Sequence, residues 1–332
     1  MKRRDVITLL GGAVAAYSVS WCFVARAAPQ TAMPVIGVLV PESRDLQTSR
    51  FRKFREGLNE AGFAEGRNIA IEYRFAEGQP ERWTALAGDL ARRPVTVIAS
   101  LAGGSSAQAA KAATRTIPIV FQGSFDPVEL GMVASLNRPG GNVTGVSTLN
   151  AELGPKRLQL LHELVPAATV VALLVNPTNP NAEVQSKAVQ VAAQALGMQV
   201  HVLNATTDRN FDAVFARVAE LRAGGLLISN SSPFNGRSDQ LGELSVRHGV
   251  PTIFQSPEFA AAGGLMSYGA STADAWRQAG VYTGRILKGE KPADLPVQQV
   301  AKVEMILNLR TAKALGLTIS LPLLGRADNV IE

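Results

Sequence analysis

The sequence predicts an α/β chain of two similar lobes, each built on a parallel sheet. Three observations lead there. Short β-rich apolar runs alternate with helix-patterned segments nearly to the C-terminus, those runs are continuously apolar, and the rhythm breaks near residue 147 and restarts. Continuously apolar strands belong to parallel sheets covered by helices on both faces. At 332 residues, with 46% hydrophobic and 18% charged content, the chain can build two cores of ordinary composition.

In the first half, VIGVLV (35–40) reads as a strand, and Ser43 to Gly62 as a helix with Phe51, Phe54 and Leu58 on its apolar face. NIAIEYRF (68–75) is the next strand, followed by a helix through Trp83, Leu86 and Leu90. VTVIASL (95–101) leads into the small-residue helix SSAQAAKAA, and then comes IPIVF (117–121). At NRPGGNVTGVS (137–147), Pro139, Gly140 and Gly141 punctuate the chain before a short strand.

The second half repeats the alternation without obvious sequence identity to the first. TVVALLVNP (169–177) precedes a helix over 181–196, and QVHVLNA (199–205) a helix over 211–223. GLLISN (225–230) precedes a helix over 236–248, and PTIFQS (251–256) a short one. LMSYGAS (265–271) is strand-like and leads to a long helix over 274–287. KGEKPADLPVQQ (288–299) is extended and polar, and VEMILNL (303–309) is a final strand before TAKALGL. A chain that crosses between lobes more than once would use such tail segments as hinge strands.

The N-terminus is set apart. Residues 1–27 have a basic start (Lys2, Arg3, Arg4), an apolar run from Val6 to Val24, and the A-x-A pattern Ala25-Arg26-Ala27. This reads as a cleaved export signal, by the twin-arginine or the Sec route; an uncleaved anchor is the competing reading. Cys22 is preceded by the bulky Trp21, which argues against a lipid-attachment site. Without residues 1–27 the chain keeps 29 basic and 26 acidic residues, a net +3 in place of +6. No basic run remains to suggest nucleic acid. The only cysteine also goes, which excludes disulfides and a thiol nucleophile from the exported form.

In open parallel sheets, ligands bind beyond the C-terminal ends of the strands, where loops and helix N-termini converge. In the first lobe that rule selects Ser43 and Arg44, then Gly103 and Ser105, then Ser124, Asp126 and Pro127. In the second it selects Asn176, Asn179 and Asn181, then Asn230 and Ser231, then Gln255 and Glu258. Any one Asn or Ser of this kind is more readily a helix cap than a ligand contact. Their repetition on two rims suits a solute held in a cleft. The carboxylate Asp126, just past a buried strand, admits three roles: catalytic acid, cap, or counter-charge for a ligand's cation.

Catalytic patterns are weak. The histidines His162, His201 and His248 stand apart from any plausible nucleophile, and no zinc spacing occurs. VLVPESRD stands where a dinucleotide-binding glycine motif would follow the first strand, and there is no P-loop lysine. The Gly-Gly-Ser turn in LAGGSS (101–106) is only a weak anion-binding signal. No cofactor, metal or catalytic residue is expected.

GSFDPVELGMVASLNRPGGNVTGVS, with GLNEAGFAEGRNIAIEYRFAEGQPERWTALAGDLARRPVTVIA upstream, resembles one family. So do KRLQLLHELVPAATVVALLVNPTNPNAE and the tail NLRTAKALGLTISLPLLGRADNVIE, so that nearly the whole exported chain is covered. The family is the extracytoplasmic substrate-binding proteins of ABC transporters related to the tryptophan/phenylalanine-binding group. The resemblance implies a type I periplasmic binding protein fold, with two Rossmann-like lobes joined by three hinge crossovers. The expected division is 34–146 plus about 268–292 for the first lobe, and 147–267 plus about 293–325 for the second. A monomer in the periplasm is expected, with a small organic solute as ligand and ABC permease transmembrane subunits as partners. The solute would be an amino acid or an aromatic or amino-acid-like compound. Asp126 would then meet the ligand's ammonium, and Ser105, Ser124 and the Asn176–Asn181 loop its carboxylate. Phe125 and Phe234 are candidates to stack on a planar ligand or to serve as core. Rival readings are a periplasmic sensor for a membrane regulator, and an α/β hydrolase using Asp126 or Glu258.

Overall fold

A computed structural model describes residues 33–41 and 48–332. The expected export signal, and Ser43 and Arg44 of the expected site, lie outside the described residues. In chain order the strands of the first half are β1 (Val35–Val40), β2 (Ala70–Phe75), β3 (Val97–Ser100), β4 (Ile119–Gly123) and β5 (Val143–Thr148). Then come β6 (Val170–Val175), β7 (Gln199–Asn204), β8 (Leu226–Ile228), β9 (Thr252–Phe254) and β10 (Met266–Ala270). The tail adds β11 (Gln298–Val300), β12 (Val303–Asn308) and β13 (Asn329–Ile331). The helices named below are α1 (Thr48–Glu60), α2 (Trp83–Ala91), α3 (Gly104–Ala113), α4 (Gly154–Leu164), α5 (Ala182–Ala195) and α6 (Phe211–Glu220). They continue with α7 (Ser232–Asn235), α8 (Ser238–Arg247), α9 (Pro257–Ala261) and α10 (Thr272–Leu287).

Two sheets carry the lobes. The first has the order β11-β5-β4-β3-β1-β2, and the second β13-β12-β10-β9-β8-β6-β7. The first is parallel throughout, as its apolar central strands β1, β3 and β4 lead one to expect. In the second, β10 and β12 pair antiparallel and the other pairs are parallel. Central β3, β4 and β5 are buried along their whole length, whereas β7, at an edge, shows mixed exposure. Each sheet has a core on both faces. Phe51, Phe54 and Trp276 pack on one face of the first and Leu90, Ala107 and Phe121 on the other. Leu158, Leu161 and Val189 cover one face of the second, and Phe211, Phe215 and Phe259 the other.

The chain passes between the sheets three times: after β5, between β10 and α10, and between β11 and β12. The last passage falls later than the sequence expectation of about 292–293, and the second lies just past the expected 268. β10 stays with the second sheet to Ala270, and the first sheet keeps the chain through Val300, because β11 pairs with β5. Both β11 and β13 are edge strands of three residues, too short for an apolar run to reveal.

The passages are tied to one another. Asn150, just past β5, donates from Nδ2 to the Ala270 carbonyl (3.3 Å) and accepts from the Ala270 N–H at Oδ1 (2.6 Å). Arg157 of α4, fully buried, donates to the Asn150 carbonyl (2.8 Å) and the Tyr268 carbonyl (3.2 Å). Burial without a carboxylate partner lowers its pKa to about 10. The Ser271 N–H donates to the Lys302 carbonyl (3.2 Å), joining the second passage to the third.

Helix α10 lies backbone to backbone on α1, which sets one wall of the interlobe cleft. A Cβ on Gly57 would fall 1.8 Å from the Arg277 carbonyl oxygen, and one on Gly280 2.1 Å from that of Phe54. Only glycine fits this approach. It brings the N-terminal turn of α10, with Thr272 and Trp276, to the cleft edge.

Candidate ligand-binding cleft

The cleft opens where the C-terminal strand ends of the two sheets face each other. It encloses about 1050 Å³ of atom-free space, counting its open mouth. On the first lobe its wall consists of Arg50 from α1, the Ala76–Trp83 turn after β2, the β3–α3 turn, and residues 122–125 after β4. On the second lobe it consists of residues 176 and 178–181 after β6, residues 230–233 and 235 after β8, and Gln255 after β9.

Gly103, Ser105 and Ser124 line it from the first lobe, as do Asn176, Asn179, Asn181, Asn230, Ser231 and Gln255 from the second. Gly103 is at φ 85°, a left-handed conformation that glycine adopts without strain. A Cβ there would sit 2.9 Å from the Ser232 hydroxyl of the opposite lobe. Ser124 is held by the first passage, its hydroxyl donating to the Thr148 carbonyl (3.1 Å) and accepting from the Ala151 N–H (2.7 Å).

The second-lobe wall is a linked set of neutral amides. Asn176 Oδ1 accepts from the Thr178 N–H (3.0 Å) and hydroxyl (2.8 Å), and Asn179 Oδ1 from the Asn181 N–H (3.1 Å). Asn179 Nδ2 donates to the Asn230 carbonyl (2.6 Å). Asn230 Nδ2 donates to Gln255 Oε1 (2.7 Å), and Gln255 Nε2 to Asn235 Oδ1 (2.6 Å). Behind them, buried Gln185 of α5 closes a pair of bonds with the Asn230 backbone at 2.8 and 3.1 Å.

Among the described residues, direct hydrogen bonds join the lobes across the cleft. Asn181 Nδ2 donates to the Ser124 carbonyl (3.1 Å), Ser232 Oγ to the Ala102 carbonyl (3.0 Å), and Arg50 Nη2 to the Asn235 carbonyl (3.2 Å). The lobes stand closed on one another. Facing the amides from the first lobe are Trp83, Phe125 and Trp276, all nearly buried. Phe125 packs on Phe121 with centroids 5.0 Å apart, and Trp276 on Phe51 at 5.8 Å, so both rings are fixed from behind.

The remaining expected residues stand elsewhere. Asp126 is exposed and away from the lining, and its Oδ1 accepts from the Val128 N–H (2.8 Å) and the Glu129 N–H (3.1 Å). This is the capping role, in a turn and not in a helix; Pro127 is buried and opens that turn. Glu258 sits in the first turn of α9, outside the lining, and accepts from the Ser256 hydroxyl. Burial opposes its ionisation, but Arg50, Ser256 and its own N–H together hold the carboxyl below its usual range. Phe234 is core, edge-to-face on Phe211 at 5.6 Å.

The sequence reading missed Arg50, Gln79, Trp83, Asn235 and Trp276, all in the lining. For Gln79 and Trp83 a signal existed. The strand-end rule passed over the end of β2, where AEGQPERW turns back through Glu77 (φ 54°) and Gly78 (φ 73°) into α2. Arg50 and Trp276 come from helices, and no strand-end rule reaches them. Among the described residues no group of His, Cys, Asp and Glu is arranged to hold a metal ion.

Two lobes on parallel sheets, three passages between them and a polar cleft with an aromatic wall define a binding protein of the type I periplasmic fold. The chain belongs to the ABC transporter substrate binding protein family, which it matches over residues 35–331. It is 26% identical over 266 residues to a Tyrosine-binding protein of Clostridioides difficile strain R20291, covering 80% of this chain and 75% of that one. Among solved structures, a conserved domain protein of Vibrio cholerae O1 biovar El Tor superposes with a TM-score of 0.82 at 24% identity. An ABC domain from Streptococcus pneumoniae in complex with L-Trp superposes at 0.80 and 23% identity. Each alignment covers 90% of this chain and 99% of the other.

Proposed function

We propose that this chain is the extracytoplasmic receptor of an ABC importer and captures an aromatic amino acid, or a close aromatic analogue, between its lobes. The observation that carries this reading is the pairing of walls: Trp83, Phe125 and Trp276 on one lobe against linked neutral amides on the other. A planar apolar side chain would pack on the first, and the polar end of the solute would hydrogen-bond to the second. The tyrosine-binding relative and the L-Trp-bound neighbour support the same ligand class. The solute contacts both lobes only when they are closed, so binding shifts the population toward the closed form. A membrane permease would recognise that form. Residues 1–27 would serve as the export signal, and the exported receptor would act as a monomer.

Thermal denaturation of residues 28–332 with L-Tyr, L-Trp and L-Phe, alongside native mass spectrometry for a co-purified solute, tests this. A ligand at 100 times its Kd stabilises the folded state by about 2.7 kcal/mol, a shift well within reach of the assay. Stabilisation by polyols or sugars, with none by any aromatic amino acid or analogue, would sink the reading.

A further inference from the structure

We infer that Gln122 is a specificity-determining residue of the cleft: its side-chain amide meets a hydrogen-bonding atom on the solute's ring, so that a phenol or an indole is favoured over an unsubstituted phenyl ring. The inference deepens, and rests on, the aromatic-solute reading above.

Gln122 differs from the amides that face it. Asn176, Asn179, Asn181, Asn230 and Gln255 each use their side chains in hydrogen bonds to other residues. Among the described residues the Gln122 side chain makes none, although Gln122 is only 8% exposed and lines the cleft. Gln79, the other lining amide without such a bond, is exposed at the turn after β2. A buried amide carries two donors and an acceptor, and shutting it in without partners is costly. The cleft that Gln122 lines is where such a partner is supplied.

Strand geometry places this amide beside the aromatic wall. Along β4, Val120 enters the core that α10 shares and Phe121 the core that α3 shares. Side chains alternate along a strand, so Gln122 falls on the opposite face from Phe121, and Gly123 on the same face. In keeping with this, a Cβ on Gly123 would meet the Phe125 ring at 2.6 Å. Gln122 therefore lies on the face that α10 covers, where Trp276 packs into the core and also reaches the lining. Its backbone is fixed on two sides, by the Gly103 N–H donating to the Gln122 carbonyl (3.2 Å) and by pairing with Val146 of β5.

The sheet order adds depth to this placement. β4 adjoins β5, which carries the first passage, and β2 stands at the far edge. Gln122 is thus at the hinge end of the first-lobe wall. A solute whose ring packs on that wall, with its polar end on the second-lobe amides, brings the ring toward Gln122. A phenol hydroxyl both donates and accepts, and an indole N–H donates to the amide oxygen. A phenyl ring does neither and would leave the amide unpaired once the lobes close.

The test is calorimetric titration of wild-type residues 28–332 with parent amino acids and analogues that keep shape but lose the ring's hydrogen-bonding atom. L-Tyrosine is paired with 4-methyl-L-phenylalanine and L-phenylalanine, and L-tryptophan with 3-(3-benzothienyl)-L-alanine, where sulfur replaces the N–H. Each parent that binds should do so about ten- to a hundredfold more tightly than its analogues. Gln122→Leu should bring the parent down to the level of its analogues and leave the analogues within about threefold of their wild-type affinity. An analogue that binds wild type as tightly as its parent overturns the inference. So does a Gln122→Leu variant that weakens parent and analogue alike, which would assign Gln122 to the amino-acid group they share. If neither parents nor analogues bind, the aromatic-solute reading itself falls, and this inference with it. The wild-type comparison needs no variant, so it decides the matter even if Gln122→Leu fails to fold.

Discussion

Asp126→Ala should lower stability and leave ligand affinity unchanged. The carboxylate oxygen accepts two turn amides, from Val128 at 2.8 Å and Glu129 at 3.1 Å, and the side chain is exposed. Water replaces the lost acceptor at an exposed site, so the cost belongs at the low end for a cap, about 1 kcal/mol. For a chain of this size that is a fall in Tm of roughly 2 °C. Asp126→Asn keeps an oxygen in the same place and should cost less. It also removes a like charge near Glu152, whose carboxyl is pushed above the ordinary 4.5, first by burial and then by Asp126. A carboxyl raised in the folded state binds its proton more tightly there than in the unfolded chain. Its contribution to stability is therefore greatest below about 4.5 and is lost as pH rises through the raised value. Asp126→Asn should reduce that loss. Thermal and urea denaturation at several pH values, with titration calorimetry on each variant, give the two readouts. A tenfold or greater loss of affinity at unchanged stability would refute the capping role and restore Asp126 as a ligand contact.

Gly57→Ala should destabilise by about 3 kcal/mol or more, because its Cβ would meet the Arg277 backbone at 1.8 Å and neither helix has a flexible side chain to yield. Gly141→Ala, with nothing within 4 Å of the added carbon, serves as the control and should be near neutral by denaturant titration. The double variant Asn181→Ala, Ser232→Ala removes two of the interlobe bonds, worth about 0.5–1.5 kcal/mol each. It should shift the unliganded protein toward an open form, seen as a larger radius of gyration in solution scattering; an unchanged radius would show that these bonds do not hold the lobes together.

How much was legible in the sequence follows from what periodicity can carry. β3, β4 and β6 are mainly apolar runs enclosed on both sides, and such runs fit central parallel strands. β11 and β13 are three residues long at sheet edges, so they carry no pattern of their own and are defined by their partners. Placing the last passage near 292 and not after Val300 came from this same cause. The rim residues Asn176, Asn179, Asn230 and Gln255 were legible because a rule of topology converts strand ends into cleft positions. Asp126 obeyed the same rule but faces away, since the rule selects a segment and not the direction of each side chain. Arg50 and Trp276 reach the cleft from helices packed by Gly57 and Gly280, a tertiary fact written in two glycines far apart in the chain.

The hydrogen bonds also bear on why a receptor of this kind can release what it binds. In the second lobe the wall amides are bonded to one another and to Gln185, so presenting them to a solute requires little further ordering. Closure itself adds the bonds from Asn181, Ser232 and Arg50, which together contribute roughly 1.5–4.5 kcal/mol at ordinary net values. A shift from 1:99 to 99:1 needs about 5.5 kcal/mol. Direct lobe contacts of that size are smaller than such a shift, so a solute touching both walls can add a comparable bias toward closure. A solute touching both walls at once would add to that bias, and separating the lobes would remove those contacts together. Strengthening the direct bonds would therefore raise apparent affinity and slow release in the same step.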